Sequence, residues 1–318
     1  MTENTIGFLF PGQGSQAVGM GKELAEKYPA ARRTFEEADD ALGYKLSSLC
    51  FEGPEDQLRL TEITQPAILT VSIAALRVLE TRIPKPSYVA GHSLGEYSAH
   101  VAAGTFSFAE AVRMVRNRGK YMQEAVPVGV GAMAAILGMD PAKVTAVCHD
   151  AAQGEVCEPA NINSPEQIVI SGNTAAVERA AKLADERGAK RAKLLPVSAP
   201  FHCSLMKPAQ DRLEADLNKL KMQKPVYAVA CNVDAKLVTD DLRARDTLVR
   251  QVTGSVKWDP CMRLLIAQGG QTFIEVGPGK VLCGLMRQID RSKTCMIVSD
   301  NASLTKTLES LAQSQVSR

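Results

Sequence analysis

The chain has 318 residues, enough to bury a large core as one big domain or as one carrying an inserted smaller one. Its 37 basic against 35 acidic residues leave a net charge of +2, which excludes a general nucleic-acid binder but leaves room for a local basic patch. Eight cysteines with no C-x-x-C spacing point away from zinc and from a disulfide framework, and are expected to be reduced thiols of a cytoplasmic protein.

Met1-Thr2-Glu3-Asn4 carries no basic n-region, so no signal peptide is expected, and no apolar run is read as membrane-spanning. Ile6 to Phe10 reads as a short strand that ends in a Gly-rich loop, Pro11-Gly12-Gln13-Gly14-Ser15-Gln16. Such a loop can bring main-chain N–H groups to an anion or a carbonyl oxygen, or can simply turn a strand into a helix. It is too short for a phosphate-binding Walker loop and has no lysine after its last glycine, so nucleotide binding is rejected. Helical patterns follow over Met20–Tyr28, Ala30–Leu42 and Pro66–Arg82, the last with an apolar stripe of Ile68, Val71, Ala75, Val78 and Leu79.

Tyr88 to Ala90 is the next strand candidate, and it runs into Gly91-His92-Ser93-Leu94-Gly95, a G-x-S-x-G pattern, with a helix from Glu96 to Ala103 behind it. Strand, tight turn and helix form the context of a nucleophile elbow. Ser93 then sits at a helix N-terminus, where free N–H groups favour a developing negative charge. The competing reading is a Gly-Ser turn that only starts a helix. In the helix expected over Ala109–Glu124, Arg118 shares a face with Ala111, Val115 and Met122. An arginine on a core-facing stripe needs an anion, either an internal carboxylate or the carboxylate of a substrate.

From Val128 to Pro196 the texture changes. Strands at Gly131–Leu137, Glu158–Ile162, Gln167–Ser171 and Ala189–Leu195 alternate with helices at Pro141–Ala152 and Ala175–Arg187 in βαββαβ order. We read this as a ferredoxin-like subdomain over residues 128–196, inserted into an α/β core of residues 1–127 and 197–318 with a parallel sheet. Beyond it, His202 lies in a loop before a helix from Leu205 to Leu220. Of the four histidines, His92 should point away from Ser93, His100 lies two helical turns or ~10 Å on, and His149 belongs to the insert. His202 is left as the base, in the chain order of α/β-hydrolases. Strands at Pro225–Cys231, Thr272–Val276 and Cys295–Val298, and helices over Asp241–Val252 and from Lys280, complete the chain, with Trp258 read as packing.

Taken together these residues resemble the malonyl-CoA:acyl-carrier-protein transacylases of type II fatty acid synthesis and the related acyltransferase domains of polyketide synthases. The resemblance covers nearly the whole chain. It rests on Phe10–Gln16, Gly91–Glu96, Arg118-Gly119-Lys120, Asn161–Pro165, His202, Asn232-Val233-Asp234 and Glu275–Lys280, in this order and spacing.

It implies a hydrolase-like core and a ping-pong reaction without metal or cofactor. Ser93 would take the malonyl group from malonyl-CoA with His202 as base, then pass it to the phosphopantetheine thiol of acyl carrier protein. It maps an oxyanion hole onto the N–H groups of Gln13 and Leu94, the second of which an elbow also supplies on physical grounds. It assigns Arg118 to the substrate carboxylate, a main-chain carbonyl near Gln251 to orienting the base, and Phe201 to disfavouring methylmalonyl. It further implies a monomer, an acidic carrier protein that Lys190, Arg191, Lys193, Lys280 and Arg287 could meet, and no nucleic-acid or membrane partner.

Two rival readings stay open. A serine thioesterase would share the elbow and the base, would do without Arg118, and would want a carboxylate on His202, with Asp140 and Asp150 poorly placed for it. A non-catalytic scaffold would need none of these side chains.

Overall fold

The computed structural model describes residues 5–197 and 199–316; the reading of Met1 to Asn4 lies outside these residues. Six strands form a mixed sheet: β1 (Thr5–Phe10), β2 (Tyr88–Gly91), β7 (Ala228–Cys231), β8 (Lys236–Val238), β9 (Gly270–Val276) and β10 (Thr294–Val298). The order is β10-β9-β1-β2-β7-β8, parallel throughout except for β8, which runs antiparallel to β7 at one edge. The intervening strands β3 (Gly131–Leu137), β4 (Cys157–Ser164), β5 (Gln167–Asn173) and β6 (Arg191–Leu194) make a separate antiparallel sheet ordered β4-β5-β3-β6.

The parallel strands are apolar on both faces because helices cover both. On β1, Phe8 and Phe10 join the layer of Ile68, Val71 and Ala75, while Leu9 turns to the opposite layer with Trp258, Met262, Leu265 and Phe273. Trp258 is fully buried, the packing role expected of it. In the small sheet, Ala134, Ile136, Ile168 and Ile170 bury one face under Val144, Val147, Val177 and Ala180 of the helices Pro141–Ala152 and Thr174–Glu186. Each large side chain so buried contributes ~1.5–3 kcal/mol.

Two expectations need correction. The helix expected over Pro66–Arg82 spans Thr61–Leu79, with Pro66 inside it. Proline favours a first turn, yet here the earlier turn is held independently, by the Thr64 N–H on Leu60 O at 2.7 Å and the Thr64 hydroxyl on Leu58 O at 2.6 Å. The same 19-residue helix is long and apolar enough to cross a membrane by length and composition alone, but Glu62, Gln65 and Arg77 interrupt it and most of it is buried in the larger core. Finally, Cys283 and Cys295 form a disulfide, with Cα atoms 5.3 Å apart, while Cys50, Cys148, Cys157, Cys203, Cys231 and Cys261 are free and buried. Packing of the helix Val281–Ile289 on β10 creates the pair, and a sequence separation of 12 carries no spacing signal for it.

The turn after β2 is the tightest place in the fold. Ser93 has φ of 52°, a left-handed conformation that costs a non-glycine residue about 1 kcal/mol or more. A Cβ on Gly91 would lie 1.9 Å from the main chain of Gly95, and one on Gly95 would lie 2.1 Å from Phe10 O. Rigid main chain cannot yield as a side chain can. Gly91→Ala is therefore expected to lower unfolding free energy by about 3 kcal/mol or more, measured by denaturant titration. A loss under about 1 kcal/mol would show that the turn can relax.

Candidate active site

Around that turn the structure gathers side chains from distant parts of the chain. The helix Gly95–Ala102 leaves immediately after Ser93, so the serine stands between strand and helix. Asn232, at the end of β7, holds the turn: its Oδ1 accepts from Ser93 N at 2.7 Å and its Nδ2 donates to Gly91 O at 2.8 Å. Ser93 Oγ lies 2.7 Å from His202 Nε2, and His202 Nδ1 lies 2.9 Å from the main-chain oxygen of Gln251. A carbonyl can only accept, so the proton belongs on Nδ1 and Nε2 is left to accept from the serine hydroxyl. His202 has φ of 59° and is almost fully buried. Burial, and then the positive charge of Arg118, push its imidazole down to about 3, so it is neutral at physiological pH.

The carbonyl of Gln251 is itself held in place. It follows the helix Asp241–Arg250, whose last residue, Arg250, pairs with Asp234 through two contacts of 2.9 and 2.8 Å. The Arg250 hydrogen bonds hold the Asp234 carboxyl down at about 2.

Arg118 lies on the buried face of the helix Phe108–Glu124, with Ala111, Val115 and Met122. Its Nη1 donates to Gln65 Oε1 at 2.8 Å, and its Nη2 to Gln251 Oε1 at 3.0 Å and to Ser93 Oγ at 3.2 Å. Its Nε is buried without a partner, and the guanidinium lies over the Tyr97 ring at 5.5 Å. Among the described residues no carboxylate forms a salt bridge with it. A buried guanidinium facing only neutral oxygens is uncompensated at close range, and an entering carboxylate would relieve that.

A cavity of about 740 Å³ opens on these groups, a volume suited to a small-molecule site. Gln13, Ser93, Arg118, Phe201 and His202 all line it, together with Met133 and Asn161 from the small sheet. Leu94 and Gln251 lie behind this lining; both are buried. Among the described residues the main-chain N–H groups of Gln13 and Leu94 have no protein acceptor. His92 turns to Asn163, its Nε2 lying 2.8 Å from Oδ1, and His100 to Thr105 at 3.0 Å. His149 is exposed beside Asp150. Asp140 caps the helix Pro141–Ala152 and Asp150 pairs with Arg187, so neither carboxylate serves His202. Of the basic residues singled out, Lys190 pairs with Glu166 at 3.0 Å, and Arg191 and Lys193 are exposed on β6. Lys280 and Arg287 are exposed on and just before the helix Val281–Ile289, which also supplies Val281, Leu282 and Leu285 to the cavity.

Three polar residues at the site had no role assigned from sequence: Gln65, Glu96 and Asn232. Gln65 and Glu96 are polar positions within buried helical faces, a pattern that would have marked them. Asn232 offered its place at a strand end and in the Asn232-Val233-Asp234 motif of the resemblance, neither of which gave it a role.

A family model described as "Acyl transferase domain" matches residues 7–312. The malonyl CoA-acyl carrier protein transacylase of Salmonella typhimurium is 50% identical over 302 residues, 95% of this chain and 98% of that protein. The crystal structure of an acyl carrier protein S-malonyltransferase from Vibrio cholerae superposes with a TM-score of 0.94 at 48% identity, covering 95% of this chain and 99% of that one. A structure of a type II PKS acyl-carrier protein in complex with its malonyl-transacylase also matches, with a TM-score of 0.94 at 46% identity over 96% of this chain and 99% of the other.

Proposed function

The chain belongs to the acyl transferase domain family, and from that premise we propose that it carries malonyl groups from malonyl-CoA to the phosphopantetheine thiol of acyl carrier protein for fatty acid chain extension. It works in the cytoplasm as a monomer. The observation that carries the reading is a buried Arg118 with no carboxylate in salt-bridge contact among the described residues, 3.2 Å from a serine that is itself 2.7 Å from an imidazole.

The chemistry then follows from the geometry. His202 Nε2 takes the proton of Ser93 Oγ as the oxygen attacks the thioester carbon. The tetrahedral oxyanion accepts from the N–H groups of Leu94 and Gln13. As it collapses, the carbon–sulfur bond breaks and the departing CoA sulfur takes the proton back from His202. In the second half the phosphopantetheine thiol gives its proton to His202, the sulfur attacks the Ser93 ester, and Ser93 leaves as the hydroxyl. Throughout, Arg118 holds the malonyl carboxylate by the Nε and Nη2 edge, keeping the acyl carbon before Ser93. A carbonyl in place of a carboxylate behind His202 fixes the tautomer but stabilises imidazolium less.

We read the Ser93 turn as a nucleophile elbow in a hydrolase-like core of residues 1–127 and 197–318. The small sheet is a ferredoxin-like unit of residues 128–196, as its βαββαβ order supports. The exposed cations Arg191, Lys193, Lys280 and Arg287 are candidates for meeting the carrier protein. Phe201 crowds the acyl α-carbon. Phe201→Ala should improve methylmalonyl-CoA relative to malonyl-CoA by about tenfold in kcat/KM, the effect of one methyl group; an unchanged ratio would remove this role.

The test of the function is a mass measurement. Malonyl-CoA should add a malonyl group to the peptide holding Ser93. The adduct should persist in water and discharge to acyl carrier protein. Rapid loss to water would mean a thioesterase, and no adduct a scaffold.

A further inference from the structure

Glu96 lies one helical turn behind the serine and is completely buried. Its Oε2 accepts from Asn232 N at 2.9 Å and from Gln251 Nε2 at 2.7 Å, while Oε1 has no partner. A carboxylate can only accept here, so it forces the Gln251 amide to point its NH₂ group toward Glu96 and toward Ser93 O, 3.0 Å away. The amide oxygen must then face Arg118, where it accepts from Nη2 at 3.0 Å. One glutamine side chain thus stands between a buried anion and a buried cation, and its main-chain oxygen aims His202.

We propose that Glu96 is the relayed counter-ion of Arg118, a positioning residue that balances the buried guanidinium through Gln251 while leaving Nε, which has no partner among the described residues, for the substrate carboxylate. This rests on the malonyl-transfer reading above. A carboxylate bonded directly to Arg118 would fill the subsite. One held a single amide away offsets the charge over a longer distance, and the relay engages Nη2 but leaves Nε open. The same charge repels the malonyl carboxylate, so the ionisation of Glu96 sets how strongly the site takes malonyl.

Burial raises the Glu96 carboxyl to about 7, against the opposing hydrogen bonds of Asn232 and Gln251 and the charge of Arg118. The ionisable groups around it are Arg118 on the helix Phe108–Glu124, Tyr97 and His100 on its own helix, Asp234 and Cys231 at the end of β7, Cys261 on the helix Trp258–Ala267, and His202. Burial holds the tyrosine and both thiols well above their ordinary values, and both histidines at about 3. Asp234 stays ionised, so Glu96 is the group of this set that titrates near neutrality. Raised above its ordinary value, it is neutral below about 7 and charged above it, and malonyl binding should weaken as pH rises through that value.

Acylation of Ser93 in single turnovers, with the carrier protein omitted, measures this directly. For the wild type, the half-saturating malonyl-CoA concentration should rise about tenfold from pH 6 to pH 8. Acetyl-CoA shares the CoA phosphates but lacks the carboxylate, and should show no such rise. Glu96→Gln can keep an acceptor for Asn232 N and Gln251 Nε2 while losing the charge. It should fold with an unchanged or higher Tm, bind malonyl-CoA at pH 8 about tenfold more tightly than wild type, and lose the pH dependence. Glu96→Ala should lose the orientation of Gln251 as well and slow acylation by both esters. A wild-type malonyl-CoA profile that matches acetyl-CoA, or a Glu96→Gln effect equal for the two esters, would overturn the counter-ion role. Failure of wild-type protein to acylate at all would instead overturn the functional reading beneath it.

Discussion

Replacing His202 by alanine is expected to slow acylation of Ser93 by about a thousandfold or more, with the fold retained. Among the described residues the hydroxyl has a single base at hydrogen-bonding distance, His202 Nε2 at 2.7 Å; its other neighbour, Arg118 Nη2 at 3.2 Å, is a donor. Without the imidazole, the serine proton has no acceptor while its oxygen attacks. Quench-flow mass analysis of the Ser93 peptide gives the rate, and far-UV circular dichroism checks the fold. The same assay reads the imidazole in the wild type. A base works in its unprotonated form, and here the value is lowered, so activity is lost only as pH falls through about 3. The maximal acylation rate should therefore stay level from about pH 5 to about pH 8. A fall with a midpoint near the ordinary histidine value would mean that His202 is far better solvated than its burial allows. So low a value makes a weak base, the consequence of burying the imidazole and then of seating it next to a guanidinium. The malonyl carboxylate corrects part of this on arrival: it offsets the positive field of Arg118 as the proton moves to His202, so recognition of the acyl group also favours the proton transfer.

What could be read in advance divides along a physical line. Local constraints were legible. Gly91 and Gly95 flank a serine because any side chain there would collide with main chain, and that requirement writes itself as G-x-S-x-G. Arg118 could be placed on a buried face because Ala111, Val115 and Met122 repeat with helical period. Most strands followed from runs of apolar residues between turns, and limits such as Gly131–Leu137 came out as expected, but the larger sheet, expected to be parallel, also carries the short antiparallel edge strand Lys236–Val238, which was not read. Long-range pairing was not legible in the same way. His202 and Ser93 are 109 residues apart, and what joined them was elimination among four histidines with the chain order of α/β-hydrolases and the family resemblance. The oxygen that orients His202 is main chain, and main-chain atoms leave no mark on residue identity; the family resemblance alone pointed to Gln251. The Glu96–Gln251–Arg118 relay was missed because Glu96 reads alone as an ordinary polar helix residue and nothing in the sequence joins it to Gln251 and Arg118. Cys283 and Cys295 were misread for a related reason: what joins them is the packing of a helix on β10, not a spacing.

Arg118→Ala is expected to cut kcat/KM for malonyl-CoA by roughly a hundredfold or more while changing acetyl-CoA far less. Truncating one partner of a buried charge pair costs about 2–5 kcal/mol, because the remaining charge is left desolvated and unpaired. In the variant that charge is the malonyl carboxylate, facing Gln65 Oε1 and Gln251 Oε1, oxygens that now accept nothing from Arg118. Acetyl-CoA brings no carboxylate and meets a cavity that is merely larger. The split between kinetic constants identifies how the guanidinium works. If it holds the carboxylate equally before and during attack, the loss falls on KM; if it also aligns the acyl carbon with Ser93 Oγ, kcat falls too. The 3.2 Å contact from Nη2 to Ser93 Oγ favours loss in both, since the donor that touches the nucleophile also sits on the edge offered to the carboxylate. Arg118→Lys should recover little, because an ammonium group cannot present two parallel donors or lie flat over Tyr97. Equal losses with both esters would instead make Arg118 a strut of the turn, and the substrate of the enzyme would then have to be sought among acyl groups without a carboxylate.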